Sequence, residues 1–403
     1  MLRNYLAMRR HRTRLTDCFH AAGLYLRYKH DKTERYIYPK IHDVKLTADY
    51  TRYVFTLPNG LDPQTVRKGE YAFYQFYGAQ IKLTSDDIKK YVLTIFHGGA
   101  LKSFRWRYED FAQSMAGLRL PVYCGKDAYG QHVTYDMADA PHLLIAGETG
   151  SGKSTQVRSI LTTLILTQDP QDIEIYLGDL KRSEFHLFRH VAHVKSLDVT
   201  ADALLSTLRK LRRLLTTRGA LLDANGAANV VDLPAALRPP TVLLCIDEVA
   251  LLKGDKSALE IIEEISALGR ALGVYLILSM QRPDAKVLDG KLKVNLTVRM
   301  GFRTADAINA RIIGTRGAES ITLAERGKYV FKHETLTELQ APLLTLDDAV
   351  KTLTPFYVTP DTNVHATEEN AVIGRTEAPT NTPSKSQQIF GLLDGKGGGQ
   401  NER

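Results

Sequence analysis

Residues 143–155 read "LLIAGETGSGKST", an apolar run that gives way to three glycines, a lysine and hydroxyl side chains. Within it, Gly147-x4-Gly152-Lys153-Ser154 fits the spacing GxxxxGK[ST]. Glycines have no Cβ, so successive backbone N–H groups can turn inward around a triphosphate, and the positive end of the following helix adds to the attraction. On this reading the backbone of Gly147, Glu148, Thr149, Gly150, Ser151, Gly152, Lys153, Ser154 and Thr155 cradles ATP. Lys153 reaches the β- and γ-phosphates, and the Ser154 hydroxyl binds Mg²⁺. The competing reading, an ordinary glycine-rich turn, does not explain an apolar strand directly before it and a helical pattern directly after.

A nucleotide loop of this kind needs an acid at the end of a neighbouring buried strand. "TVLLCIDEVALL" at 241–252 supplies two. Asp247 suits the hydration shell of the magnesium ion, and Glu248 is placed to polarise an attacking water; a helix N-cap would account for the aspartate alone. "VYLILSM" at 274–280 ends on Gln281-Arg282-Pro283, and an amide at that strand tip suits a sensor of the γ-phosphate. Arg270, in "GRALG", sits where a subunit edge would offer a charge to a neighbour's nucleotide, or is a plain surface arginine. "DAKVLDGKLK" presents Lys286, Lys291 and Lys293 around a turn, suited to phosphate contacts that read no sequence, or to a solvated loop.

The strand candidates around these residues are "HLLIAG", "IEIYLGD", "TVLLCID", "VYLILSM", "LTVRMGF" and "GKYVFK", with helices expected over 153–167, 202–218 and 257–272. The alternation predicts an α/β fold whose mostly parallel sheet is covered on both faces. Four regions follow: a basic N-terminal segment (1–40), a small α/β domain (41–140), the P-loop ATPase domain (141–350) and a disordered tail (351–403). In the second region short β-rich runs alternate with turn signals and carry no identifiable chemistry. "FRWRYEDF" at 104–111 suits either nucleic acid or a half-buried strand with snorkelling arginines. His186, His190 and His193 share a helical spacing, but the valines beside them favour a strand, which breaks a metal-binding face.

The chain has 403 residues, a formal net charge of +8 and a pI near 9.1, which favours a polyanionic partner such as nucleic acid or an acidic membrane surface. Cys18, Cys124 and Cys245 form no CxxC pair, which argues against a disulfide framework or zinc knuckle and fits a reducing cytosol. No apolar run reaches the ~18 to 20 residues of a bilayer-spanning helix. The expected location is the cytoplasm or the inner face of the membrane. The arginines of residues 1–35, interleaved with leucines, suit a basic amphipathic helix on a membrane or DNA, or a solvated helix face.

"HLLIAGETGSGKS", "LGDLKRSEFHLF", "LLCIDEVALL", "LGRALGVYLILSMQRPDAKVLDGKLKVNLTVRMGFR" and "GAESITLAERGKYVF" together resemble the motor domain of the FtsK/SpoIIIE DNA translocases over roughly residues 140–335. Among these, the chain looks most like the coupling proteins of Gram-positive integrative conjugative elements. The resemblance implies a RecA-like fold, a homohexameric ring, ATP held between subunits and duplex DNA in the pore, with relaxase or transfer-channel proteins as partners. By residue-wise match it implies that Lys153 and Ser154 are the nucleotide-loop pair and that Asp247 and Glu248 are the acidic pair. Gln281 would be the sensor, Arg270 a trans-acting finger, and Arg282 and Lys293 pore-loop contacts. Chromosome translocases of that family also carry membrane-spanning helices before the motor and a winged-helix module after it, and the sequence shows neither. Some FtsK/SpoIIIE-like domains move polypeptides, so a secretion ATPase is the alternative expectation.

Overall fold

The computed structural model describes residues 2–358 apart from 31–32, 48–49, 79, 86–88, 98–100 and 289. It opens with α1 (Leu2–Ala21) and the hairpin β1 (Leu26–His30)–β2 (Thr33–Ile37). Next come β3 (Lys40–Leu46), β4 (Tyr50–Thr56), α2 (Gln64–Lys68), α3 (Glu70–Tyr77), β5 (Ile81–Ser85) and β6 (Lys90–Phe96). The last four of these strands form an antiparallel sheet in the order β3-β4-β6-β5. One face of it carries Val44, Tyr53, Phe55, Leu93 and Ile95, which alternate with residues of the opposite face and pack with Leu15, Phe19 and Phe73 of the helices.

This core corrects the first expected boundary. α1 does not stand apart as a basic segment, because Leu15, Cys18 and Phe19 are fully buried in the small domain. Two of its arginines are also committed: Arg14 donates to the Phe76 carbonyl (2.5 Å) and lies over the Tyr77 ring, and Arg12 donates to Ile41 (3.3 Å). "FRWRYEDF" is not a strand either. Arg105 makes a single bridge to Leu343, and the run then turns into α4 (Tyr108–Phe111), whose Phe111 stacks on Tyr123 at 3.6 Å.

The larger unit contains β7 (Pro121–Asp127), β8 (His132–Asp136), β9 (Leu143–Ala146), α5 (Lys153–Thr167), β10 (Ile173–Asp179), β11 (Val194–Asp198), α6 (Ala201–Asn225), β12 (Thr241–Asp247) and α7 (Lys256–Leu272). It continues with β13 (Val274–Met280), α8 (Gly290–Asn295), β14 (Val298–Phe302), α9 (Ala307–Ile313), β15 (Lys328–Lys332), β16 (Leu336–Gln340) and α10 (Leu346–Leu353). Its strands form one sheet in the order β11-β10-β12-β13-β9-β14-β15-β16-β7-β8. Pairing is parallel from β11 to β14 and antiparallel from there to β8. The expected boundary at 140 therefore falls inside this unit, since β7 and β8 belong to its sheet. Short, polar-tipped hairpin strands carry no parallel-sheet signal, so the sequence pattern assigned them to the preceding domain.

Both faces of the parallel strands are covered, which is why they read as unbroken apolar runs. Leu143, Ile145, Leu243, Cys245 and Ile277 face a core shared with α5 and α10, whereas Leu144, Ala146, Leu244, Ile246 and Leu278 face one shared with α6 and α7. Helix ends follow local chemistry. Thr200 and Asp255 cap α6 and α7 through their side chains, and Gly226 and Gly273 close them in the left-handed conformation. Arg218 of α6 donates to the carbonyls of Leu272 (2.7 Å) and Pro240 (2.6 Å), fixing α6 to the loops on either side of β12 and α7. Of the expected tail, residues 351–358 are ordered against the large unit: Ala192 N–H donates to Phe356 O (2.9 Å) and the Tyr357 hydroxyl to Leu187 O (3.0 Å). The remainder of the tail lies outside the described residues.

Candidate functional site at the carboxyl edge of the sheet

Every strand from β10 to β14 ends on the same edge, and ligands in open α/β sheets bind outside that carboxyl edge. The glycine-rich loop follows β9 there and leads into α5 at Lys153. Gly152 has φ +113°, and a Cβ on it would lie 2.9 Å from Gly327 Cα. A Cβ on Gly147 would lie 2.5 Å from Phe302 Cβ. The loop is therefore bare for two reasons: its backbone visits a conformation open to glycine, and other backbone crowds it from behind. Bracing is extensive, with Gly327 N–H donating to Ser151 O (2.8 Å), the Ser151 hydroxyl to Glu148 O (2.7 Å) and Glu148 N–H to Arg303 O (3.0 Å). Arg303, at the end of β14, also forms an ion pair with the Glu148 carboxylate.

Beneath the loop, the Lys153 ammonium donates to Asp247 Oδ1 (3.0 Å) and to Ser279 Oγ (2.6 Å), and the Ser279 hydroxyl donates to the same Asp247 oxygen (2.8 Å). Lys153 and Asp247 are each only 4% exposed. A buried charge of either sign alone costs several kcal/mol, so the two are mutually dependent. Ser154 and Thr155, half-buried, follow Lys153 on the first turn of α5. A hydroxyl and a carboxylate are the hard oxygen donors magnesium takes, and Asp247 Oδ2 meets no donor among the described residues. The residues present thus fit the metal.

Glu248 is the next residue, and its backbone is left-handed (φ +62°, ψ 57°), a conformation that costs a residue with a Cβ roughly 1–3 kcal/mol. The strain turns its side chain back to the carboxyl edge. Its carboxylate accepts from the Lys181 ammonium (2.6 Å) and from the Gln281 N–H (3.1 and 3.2 Å to its two oxygens). Gln281 in turn accepts from the Thr149 hydroxyl through Oε1 (3.2 Å). The expected sensor residue therefore touches both the glycine-rich loop and the expected base.

Lys181 and Ser279 were not singled out from sequence. Lys181 sits in a turn built by Asp179, whose carboxylate accepts from the N–H groups of Ser183 (3.1 Å), Glu184 (3.1 Å) and Phe185 (3.0 Å). Asp179 and Asp247 are register partners, so the turn after β10 necessarily lies beside Glu248. The sequence hides that adjacency because strand order is not written in it. Ser279 did leave a signal: it is the one hydroxyl in an otherwise apolar buried strand end.

The remaining expected residues scatter. Arg270 is exposed at the C-terminal end of α7, at the edge of the sheet opposite the glycine-rich loop. It lies away from its own chain's loop, which leaves the two expected readings, a charge offered to another subunit or a plain surface arginine. Arg282 and Lys286 are exposed, while Lys291 pairs with Glu263 (3.2 Å). Lys293 is half-buried beside Arg299 and Lys332, and burial together with those two charges pulls its pKa below the usual lysine range. Arg299 is itself held by the carbonyls of Lys293, Leu296 and Ile313. The three histidines do not converge: His193 shares a hydrogen bond with Gln168 O (2.9 Å), and no metal-ligand cluster occurs among the described residues. No helix among them is long and apolar enough to cross a membrane.

Comparison with known proteins bears on this architecture. Residues 107–238 match the FtsK/SpoIIIE family. That stretch includes the glycine-rich loop and Lys181 and ends before Asp247. The DNA translocase FtsK of Borreliella burgdorferi is 30% identical over 224 residues, covering 53% of this chain and 28% of the relative. That of Helicobacter pylori strain 26695 is 32% identical over 257 residues, covering 60% and 29%. The chain thus spans less than a third of the length of these relatives. Among solved structures, the pCW3 conjugation coupling protein TcpA aligns over 79% of this chain and 94% of its own, with a TM-score of 0.55 and 22% identity, a likeness of fold. The cytoplasmic domain of the Thermomonospora curvata type VII secretion ATPase EccC aligns over 59% of this chain and 31% of its own, with a TM-score of 0.53 and 27% identity.

Proposed function

We propose that this chain is an ATP-hydrolysing motor that moves DNA, working in conjugative transfer as a coupling protein. The carrying observation is the convergence of Lys153, Asp247, Glu248 and Gln281 at one sheet edge directly against the glycine-rich loop. The naming of the FtsK relatives as DNA translocases supports the substrate, and TcpA's naming as a conjugation coupling protein supports the setting. In the proposed cycle the loop amides from Gly147 to Thr155 bind the phosphates of ATP. Lys153 exchanges part of its contact with Asp247 for phosphate oxygens, and Ser154 and Asp247 would hold Mg²⁺. The metal, when bound, neutralises charge developing on the phosphates. Glu248 takes the proton of the attacking water, and Gln281 reports phosphate occupancy to the Arg282–Lys293 segment.

Both Glu248 oxygens are engaged, one by the Lys181 ammonium and both by the Gln281 N–H, so the carboxylate that would meet the attacking water is already occupied within the chain. Lys181 therefore holds the glutamate idle until a competing anion draws it off. Arg270 serves the nucleotide of a neighbouring subunit in a homohexameric ring. Arg282, Lys286, Lys291 and Lys293 contact duplex phosphates. The setting is cytoplasmic, at the inner face of the membrane, with relaxase or channel proteins as partners. Since the apolar stripe of α1 is committed to the small domain, membrane contact through the N-terminus falls to its exposed arginines.

The test measures ATP turnover with and without duplex DNA, for the unaltered chain and for Glu248→Gln, with sizing on a nucleotide analogue. Turnover that rises with DNA and disappears in Glu248→Gln, with nucleotide still bound, is the expected result. EccC's naming as a secretion ATPase favours one alternative: turnover indifferent to DNA and raised by a secretion-signal peptide would move the assignment there.

A further inference from the structure

The outer face of the four-stranded sheet, away from α1 and α3, has an unusual charge pattern. Register places Lys45 opposite Arg52, Arg52 opposite Thr94 and Thr94 opposite Lys82, so three cations occupy one row across the sheet. Like charges directly opposite each other destabilise a strand pair. None of the three forms an ion pair among the described residues, although Asp43 lies two residues from Lys45 on β3. This face forms one wall of a groove of about 870 Å³, whose other wall is residues 101–104 and the β7–β8 turn. Arg52, Lys82, Lys102 and Lys126 all line it. Asp127, the one acid lining the groove among the described residues, has its Oδ1 committed to the N–H groups of Tyr129 (2.9 Å) and Gln131 (2.8 Å). Aromatic rings sit among the cations: Lys126 lies over Phe104 at 4.7 Å, and Tyr129 packs on Phe96 at 4.5 Å.

The geometry points to this groove as a binding site for a single-stranded nucleic-acid segment, its phosphates along the cations and its bases against the rings. Its volume lies toward the upper end of the ~300–1,000 Å³ typical of enclosed ligand sites. A cationic track beside aromatic faces is the chemistry that holds a single strand without reading its sequence. The inference rests on the reading that the chain handles DNA, and extends it from the pore to the small domain.

The test uses a fluorescein-labelled oligothymidylate and the full chain carrying Arg52→Ala, Lys82→Ala and Lys102→Ala together, all three on exposed side chains. Each lost phosphate contact on a single strand lowers the salt slope by roughly 0.7, so the triple variant should lose about 2 from the slope and bind at least ~10-fold more weakly. DNA-independent ATP turnover and melting temperature should not fall. An unchanged slope and affinity in a folded variant overturns the inference, even if duplex DNA still stimulates turnover and the motor reading stands. Conversely, oligonucleotide binding that needs these residues in a chain whose turnover ignores DNA keeps this site and removes the motor. Anionic vesicles form the second arm: vesicle binding lost in the variant while oligonucleotide binding is kept would assign the face to lipid and overturn the inference.

Discussion

Charges are handled in opposite ways at the carboxyl edge of the large sheet and on the outer face of the small one. At the edge, Lys153 meets Asp247, Lys181 meets Glu248 and Arg303 meets Glu148, each cation answered by a carboxylate of the same chain. On the small sheet, Lys45 faces Arg52 and no carboxylate pairs with either among the described residues. At the most deeply buried of these pairs, Lys153–Asp247, removing one charge leaves the other stranded in a low-dielectric site. A row of like charges costs stability and is relieved by removal. The same kind of substitution, cation to neutral, should therefore have contrary effects in the two places.

The largest expected effect is at Lys153. Lys153→Met should abolish ATP hydrolysis and lower stability by about 3 kcal/mol, since it leaves Asp247 buried with only the Ser279 hydroxyl. Denaturant unfolding and a turnover assay check both, and normal hydrolysis would end the proposed mechanism. Lys181→Met comes next and should act in the other direction on rate. Releasing a charge-assisted hydrogen bond of ~1.5 kcal/mol corresponds to a rise of up to roughly tenfold in DNA-independent turnover, with a smaller ratio of stimulated to basal rate. If both rates fall together, Lys181 assists the reaction and does not restrain it. Smallest is Arg52→Thr, which removes the like-charge pair with Lys45 and should raise the melting temperature of the small domain by roughly 1 °C. A fall would mean that the arginine is structurally tied, and the contrast between the two regions would dissolve.

Much of the large unit was legible because its parts obey one-dimensional rules. Apolar runs of buried parallel strands, the glycine spacing of the loop and the acids after "TVLLCI" are local patterns, and helix α5 occupies the expected 153–167. What escaped notice depends on who lies beside whom. β7 and β8 join the large sheet through β16, a pairing between segments more than two hundred residues apart in sequence. Lys181 becomes meaningful only once β10 is known to border β12. The cationic row of the small sheet is invisible in sequence because Lys45, Arg52 and Lys82 are brought into line by register, and each alone reads as an ordinary solvated lysine or arginine.

The contact between Gly152 and Gly327 carries a last consequence. Gly327 N–H holds Ser151, and the Gly327 carbonyl accepts from Ala341, which directly follows the Gln340 that pairs with Lys126 at the groove. A continuous backbone strut thus links the glycine-rich turn to the wall of the small-domain cleft, with no flexible side chain in between to absorb a displacement. Fuel arriving at one end and polymer lying in the other would then be felt as a single mechanical load.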